Sequence, residues 1–374
     1  MKEAMKKKLV IFHPAIAPYR IDFFNSLNEC FEASFYFEFL DVLEQSFDQV
    51  RLRERLAFRP NYLGKGFCGI KNLRLQVFPI LCKTRPDIVF CSEFNIMGFL
   101  ILVYKYLFRR KLRIYTICDD SLDIVKTEGG VKGFMRALFV RLYDGVILTN
   151  KAVIGWYQET YHNMSKFIYF PIVQEDNAFR SKLENALPLS RRFLDDLGLR
   201  GKRVILYVGR LIDIKNLDFL LDAFSRVLGA YPESGLLLVG EGDRRNALEE
   251  MASRLGIMGN VLFIGKKQGD ELSAFYNLGQ VFVLPSYYER FGAVVNEALL
   301  SGCYTLCSSV AGAACLIAPG NGACFDPKDQ KDLEEALRMA LSRVVPMREV
   351  VVKRNLMADS YSTLMASLLE QLDS

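Results

Sequence analysis

Two doubly wound α/β domains joined by a hinge are the fold this sequence predicts, and three observations predict it. The chain has 374 residues, about twice a common single-domain length. Short apolar runs of strand length alternate with longer runs of helical spacing along most of it. The alternation breaks once, between residues 171 and 201, and then restarts.

The first domain, residues 1–172, opens with "LVIF" and the helical run "PYRIDFFNSLNECF". "ASFYFEFL", "LQVFPILCKT", "DIVFCSEF" and "IMGFLILVYKYLFRR" follow, then "RIYTICDD", "GFMRALFVRLYD", "GVILTN", "AVIGWYQETY" and "KFIYF". Continuous apolar strands separated by helices mean parallel strands covered on both faces. Pro171, Pro188 and the charged run "LSRRFLDDLGLRGKR" place a linker at 173–200. The second domain, 201–350, repeats the rhythm with "RVILYVGRL", "NLDFLLDAFSRVL", "GLLLVGEGD", "ALEEMASRLG", "NVLFIGKK", "ELSAFYNLG", "QVFVLPSYYERFG", "VVNEALLSG" and "CYTLCSS". The last stretch, 351–374, carries the helical spacing of "YSTLMASLLEQL" with no strand after it, so a helix is expected to pack back across the hinge. Such folds bind ligands at the carboxyl ends of their strands, which makes a cleft between the two domains the expected site.

Composition sets further bounds. Half the residues are hydrophobic (51%) and 24% are charged, as in a globular enzyme rather than a disordered chain. The net charge of +5 is uneven: residues 1–176 hold 25 Lys/Arg and 19 Asp/Glu, and the rest hold 23 and 24. A basic first half suits an acidic partner such as an anionic membrane surface, or is a plain solvated face. Basic and apolar residues interleave at 51–59 and 104–113 in a manner suited to anionic headgroups. No nucleic-acid module is recognisable, so nucleic acid is not an expected partner. The nine cysteines, at 30, 68, 82, 91, 118, 303, 307, 315 and 324, form no C-x-x-C pair and read as small core residues of a reduced, cytoplasmic protein. The longest apolar stretch, 94–108, contains Lys105 and is shorter than the roughly 20 residues a membrane span needs. It reads as a buried or interfacial helix, and no secretion signal is read at the start.

The candidate chemistry lies mostly in the second domain. "YVGRL" ends a strand at Gly209 and Arg210, and Lys215 stands before the next helix. Two cations at the carboxyl edge of a sheet suit a diphosphate, although two solvated surface charges produce the same pattern. "LLLVGEGD" makes a second strand-to-glycine turn at Gly240, but the third glycine of a dinucleotide fingerprint is absent. In "VLPSYYERFGAVVNEALLSG", Gly292 marks a helix start near Ala293, with Glu289 on the loop and Glu297 within the first turns. The amides of Phe291, Gly292 and Ala293 then form the positive end of a helix, suited to a phosphate. The two carboxylates suit hydroxyls of two sugar rings, or are an end-of-helix acid and a solvated residue.

Together, "YVGRL…K…LVGEGD…VLFIGK…VLPSYYERFGAVVNEALLSG" resembles the second-domain signature of the retaining family 4 glycosyltransferases, which have the GT-B fold. Five segments stand in the family's order, while the first half is similar only through its alternation and "PYRIDFFNSL". The resemblance implies that Arg210 and Lys215 grip the donor diphosphate. It implies that Glu297 binds the ribose, Glu289 holds the transferred sugar, and Phe291, Gly292 and Ala293 face the phosphate. Lys266, in "FIGKK", then lies beside the nucleobase. Gly209 and Gly240 belong to the donor-binding turns.

Many relatives carry a His-Asp pair after a first-domain strand, where "YTICDDSLD" here has Cys118 and Asp119. Asp119 and Asp120 are the expected catalytic replacements, or else structural carboxylates. His13 and Arg20, after the first strand, are expected acceptor or phosphate contacts. The implied reaction moves a hexosyl unit from a nucleotide-sugar donor to a glycan or lipid-linked acceptor, with retention and with no metal or other cofactor. The implied setting is cell-envelope polysaccharide or lipopolysaccharide assembly on the inner face of the cytoplasmic membrane. A nucleotide-sugar epimerase and a non-catalytic sugar-nucleotide-binding protein are the alternatives.

Overall fold

The computed structural model describes residues 6–40, 49–67, 73–127, 129–162 and 164–373. Cys68 lies outside the described residues. The chain divides into one unit of Met1–Ile172 with Leu364–Ser374, and a second of Val173–Thr363.

In the first unit the apolar runs form β1 (Lys8–His13), β2 (Glu32–Phe37), β3 (Asn61–Tyr62) and β4 (Ile88–Ser92). They are followed by β5 (Arg113–Cys118), β6 (Gly145–Leu148) and β7 (Lys166–Tyr169). These lie side by side in the order 3-2-1-4-5-6-7, every pairing parallel. β4 and β6 are buried at every residue, which is why they read as unbroken apolar runs rather than alternating ones. The order reverses between β1 and β4, so the carboxyl ends there open a crevice.

The helix Ile96–Phe108 starts at Asn95, whose side chain accepts from the Gly98 amide. Lys105 on it is buried and pairs with Asp144 at 2.7 Å. The far end leaves Tyr106, Leu107 and Phe108 exposed. No helix among the described residues is long and apolar enough to cross a membrane.

The second unit comprises β8 (Arg203–Val208), β9 (Ser234–Val239), β10 (Val261–Gly265), β11 (Val281–Leu284), β12 (Tyr304–Ser308) and β13 (Gly322–Phe325). Their order is 10-9-8-11-12-13, again all parallel, with the switch between β8 and β11. Leu217, Leu220, Leu221 and Phe224 from one helix and Leu333, Leu337 and Leu341 from another join the core beside β8 and β12. Both sheets, with their covering helices, give the α/β architecture expected from the sequence.

The expected linker at 173–200 is instead two helices of the second unit, Asp176–Asn185 and Leu187–Asp196. Glu175 caps the first by accepting from the amides of Asn177 and Ala178. Pro188 sits in the first turn of the second, where its missing N–H costs nothing. Both pack on the helix Gly269–Leu278: Phe193 stacks on Phe275 at 5.0 Å, and the Asn277 amide donates to Leu183 O and Ser190 Oγ. The final helix spans Tyr361–Asp373 rather than the whole of 351–374, and from Leu364 onward it belongs to the first unit. There Lys7 pairs with Asp373 at 2.7 Å.

The cysteines split. Cys91, Cys118, Cys303 and Cys307 are buried as expected, whereas Cys30, Cys82 and Cys324 are exposed and Cys315 is half-buried. Cys30 and Cys82 lie on the outer sides of amphipathic helices, where a neighbouring apolar run does not imply burial.

Candidate functional site

Every donor-side residue named from the sequence lies at the carboxyl edge of the second sheet. β8 delivers Gly209 and Arg210, β9 delivers Gly240, β10 delivers Lys266, and β11 delivers the loop with Glu289, Phe291 and Gly292. The turns after β8 and β9 are pressed together. Gly209 N donates to Val239 O at 3.0 Å, and a Cβ on Gly240 would lie 1.8 Å from Gly209 O. With φ of 154° as well, position 240 takes glycine only.

The buried Tyr207 hydroxyl donates to Arg210 O at 2.8 Å and so holds the turn from beneath. Burial first, and the Glu289 carboxylate second, push the Tyr207 phenol well above its usual range, so it stays a donor. Arg210 itself is exposed, and its guanidinium has no ion-pair partner among the described residues. Lys266 is exposed as well.

Lys215 and Glu289, which the sequence assigned to phosphate and sugar, are paired with each other. Both side chains are mostly buried, at 13% and 16% exposed. The pairing is set by backbone: Tyr287 N donates to Ile214 O at 3.2 Å and ties the Glu289 loop to the Asp213–Lys215 turn. On its other side the loop is held by Ala313 N donating to Phe291 O at 2.7 Å. Gly292 has φ of 94°, and a Cβ there would meet Leu284 Cδ2 at 2.7 Å. The helix that follows runs Val294–Leu300, one residue later than the sequence suggested, with Ala293 as its cap residue. Within its first turn Val295 N donates to Gly292 O at 3.0 Å, while the general pattern leaves the earliest amides of a helix without an intrahelical acceptor.

Glu297 is not a solvated helix residue. Tyr276 Oη donates to its Oε2 at 2.6 Å, and Gln174 Nε2 donates to its Oε1 at 2.6 Å. Asn296 beside it accepts from Gln174 N at 2.9 Å. Burial, then Glu297, keep the Tyr276 phenol protonated. Sequence reasoning missed Tyr207, Tyr276 and Gln174. The two tyrosines sit in apolar runs that read as core, and nothing near Gln174 marks it.

In the first unit, the Arg20 guanidinium pairs with Asp119, joining the segments after β1 and β5. Arg20 is 1% exposed, so the expected role as a direct acceptor or phosphate contact is corrected: the carboxylate that compensates its charge draws it inward. His13 is half-buried, with Nδ1 3.0 Å from Ala15 O and its ring edge-on to Phe24. Burial, then the Arg20 charge, lower its pKa to about 4 against the opposing pull of Asp119. It is therefore neutral at physiological pH and offers no charge to an anionic acceptor.

The two candidate carboxylates separate. Asp120 accepts from Tyr157 Oη at 3.0 Å and lies 3.4 Å from Arg136. At 13% exposed it is a structural group, which corrects the catalytic expectation for it. Asp119 is 30% exposed and remains the candidate. Burial, then Asp120, push the Cys118 thiol well above its usual range, so Cys118 is a core residue and not a nucleophile. No group of three or more His, Cys, Asp or Glu suited to a metal occurs among the described residues.

Residues 192–355 match the family profile described as glycosyl transferases group 1. Mannosylfructose-phosphate synthase of Agrobacterium fabrum is 32% identical over 236 residues, covering 60% of this chain and 51% of that protein. An uncharacterized glycosyltransferase of Methanocaldococcus jannaschii is 34% identical over 142 residues, 38% and 36% of the two chains. The chain thus spans a third to a half of the length of these curated relatives. Among solved structures, sucrose-phosphate synthase from Thermosynechococcus elongatus superposes with a TM-score of 0.69 at 18% identity, covering 98% and 99% of the chains. Anabaena HepE in complex with UDP gives 0.72 at 16%, also covering 98% and 99%. These likenesses establish the GT-B fold.

Proposed function

We propose, from the match of residues 192–355 to the glycosyl transferases group 1 profile, that the chain is a retaining glycosyltransferase moving a hexosyl unit from a nucleotide sugar to an acceptor hydroxyl. The observation that carries this is the convergence of Arg210, Lys215, Glu289, Glu297 and a helix end on one sheet edge. Arg210, Lys215 and the amides near Gly292 meet the diphosphate, with no metal ion called for. Glu297 accepts from the ribose hydroxyls, its carboxylate held in place by the Tyr276 and Gln174 donors. Glu289 turns to the hydroxyls of the transferred sugar when the diphosphate engages Lys215.

In the reaction the bond from the anomeric carbon to the phosphate oxygen breaks, and the acceptor oxygen bonds to that carbon from the same face. The acceptor proton passes to the leaving phosphate oxygen. The cations and helix dipole stabilise the charge developing there, where preorganised electrostatics contribute most. Incubation with UDP-, GDP- or ADP-glucose and product analysis tests the class. We expect release of the nucleoside diphosphate from one of them, with the glucosyl group passing to an added acceptor or slowly to water, whereas an isomerised sugar on an intact nucleotide sinks the transferase reading in favour of an epimerase.

The acceptor is proposed to be lipid-linked, with envelope glycan assembly as its setting. Support comes from the first unit, where Leu107 and Phe108 are 70% and 65% exposed beside Arg110 and Lys111. Val131 and Phe134, on a helix packed against that one, are exposed too. The other basic cluster is less suited: Phe58 stacks on Phe35 at 3.6 Å, Arg53 covers the Tyr62 ring, and Arg55 reaches toward Asp22. Full-length protein should co-sediment with phosphatidylglycerol vesicles and be released by salt. Leu107→Ser with Phe108→Ser should weaken this at least about 10-fold, since each buried apolar side chain is worth about 1.5–3 kcal/mol. Equal binding to neutral vesicles, or none to anionic ones, contradicts it.

A further inference from the structure

Arg20 is among the largest fully buried side chains of the protein, and it is charged. A guanidinium is kept out of water only where something compensates it. Here the compensation is Asp119, whose side chain is far less enclosed, at 30% exposed against 2%. The pair bridges the ends of β1 and β5, with β4 between them, and so spans the crevice at the switch point of the first sheet.

The surroundings fix both partners. Arg20 stands 5.9 Å over the Phe23 ring, and His13, neutral and held at Ala15 O, does not compete for the carboxylate. Next to Asp119, the Asp120 carboxylate is tied down by Tyr157 and Arg136, which anchors the turn after β5 from the inside. One carboxylate faces inward and is held at Oδ2 by both of these groups. The other is held from behind through Oδ1 by a buried cation.

We infer that Arg20 is a positioning residue: it fixes the Asp119 carboxylate so that Oδ2 accepts a hydroxyl of the bound substrate at the carboxyl edge of the first sheet. Arg20 itself touches no substrate. The inference rests on the reading of Asp119 as the first unit's working carboxylate. It accounts for a buried arginine at the end of the turn Pro18–Arg20, where a shorter apolar residue would fill the space without a charge.

The test uses the full chain and whichever of UDP-, GDP- and ADP-glucose the wild type consumes, with nucleotide binding measured separately. Asp119→Asn and Arg20→Met should each lower kcat about 100-fold, the scale of a lost acid-base or orienting carboxylate, with the nucleoside-diphosphate Kd changed less than about twofold. The double variant should be no slower than Asp119→Asn alone, because the two residues act as one unit. Arg20→Lys should recover about tenfold over Arg20→Met with KM unchanged, since it restores the charge but not the fork. If Asp119→Asn is slow while folded Arg20→Met turns over within about threefold of wild type, the positioning role is overturned. If Asp119→Asn itself keeps wild-type kcat, the reading of Asp119 fails instead. Should Arg20→Met not fold, Arg20→Lys decides: a kcat about tenfold below wild type supports positioning, and a wild-type kcat overturns it.

Discussion

Lys215→Ala lowers glycosyl transfer by about 100- to 1,000-fold, the effect of removing one preorganised group that stabilises a leaving charge. Lys215 is 13% exposed and pairs with Glu289, so its ammonium is largely desolvated and held at the sheet edge before any donor binds. Glu289→Gln, which keeps the side chain's shape and removes its charge, should fall by a similar factor. The two effects will not add. Each variant abandons a mostly buried partner, so the double variant should be little slower than the worse single one. Removing one member of such a pair also costs about 3–5 kcal/mol of stability when fully buried, and somewhat less at this exposure. Rates must therefore be normalised to folded protein from melting curves. Additive losses in rate would show that the lysine and the glutamate serve separate steps.

Glu297→Ala removes most of the stabilisation that a nucleoside diphosphate confers. Two hydroxyls donating to a carboxylate are worth about 2 kcal/mol together, so Kd should rise roughly 30-fold. The free protein should melt lower as well. The Tyr276 hydroxyl and the Gln174 amide both donate to Glu297, and without it the buried phenol is left unsatisfied at a cost of about 1–3 kcal/mol. Tyr276→Phe separates the two effects. It relieves the buried hydroxyl while leaving the carboxylate in place, so nucleotide binding should weaken far less than in Glu297→Ala. Equal losses in the two variants would mean that Glu297 acts only through the packing around Tyr276.

Much of the architecture was legible because parallel strands covered on both faces must be continuously apolar, and "VILYV", "LLLV" and "VFVL" all became buried strands. The donor side was legible for a local reason. Gly209, Gly240 and Gly292 each follow a strand and mark backbone that no larger residue can enter, so chemistry near them reads directly from the sequence. The segment 173–200 misled because Pro188 looks like a breaker, yet in a first helical turn it breaks nothing.

The first unit resisted for the opposite reason. Arg20 and Asp119 are 99 residues apart, and a lone arginine in "APYRIDFF" carries no sign that it will be buried. Asp119 and Asp120 are adjacent and chemically identical, so only the fold, by placing Tyr157 and Arg136 against one of them, could assign different roles. The donors that hold Glu297 escaped sequence reasoning because they stand 21 and 123 residues away.

The central claim is that the second unit's sheet edge is built for a nucleotide-sugar diphosphate, and the direct measurement is thermal unfolding of the full chain with UDP, GDP and ADP. At about 100 times its Kd, the cognate nucleotide should add about 2.7 kcal/mol, which is roughly 5–10 °C for a unit of this size. At the same concentration the shift should fall to about a third in Glu297→Ala, about 0.9 kcal/mol for a Kd raised roughly 30-fold. No shift with any of the three at millimolar concentration would contradict the account.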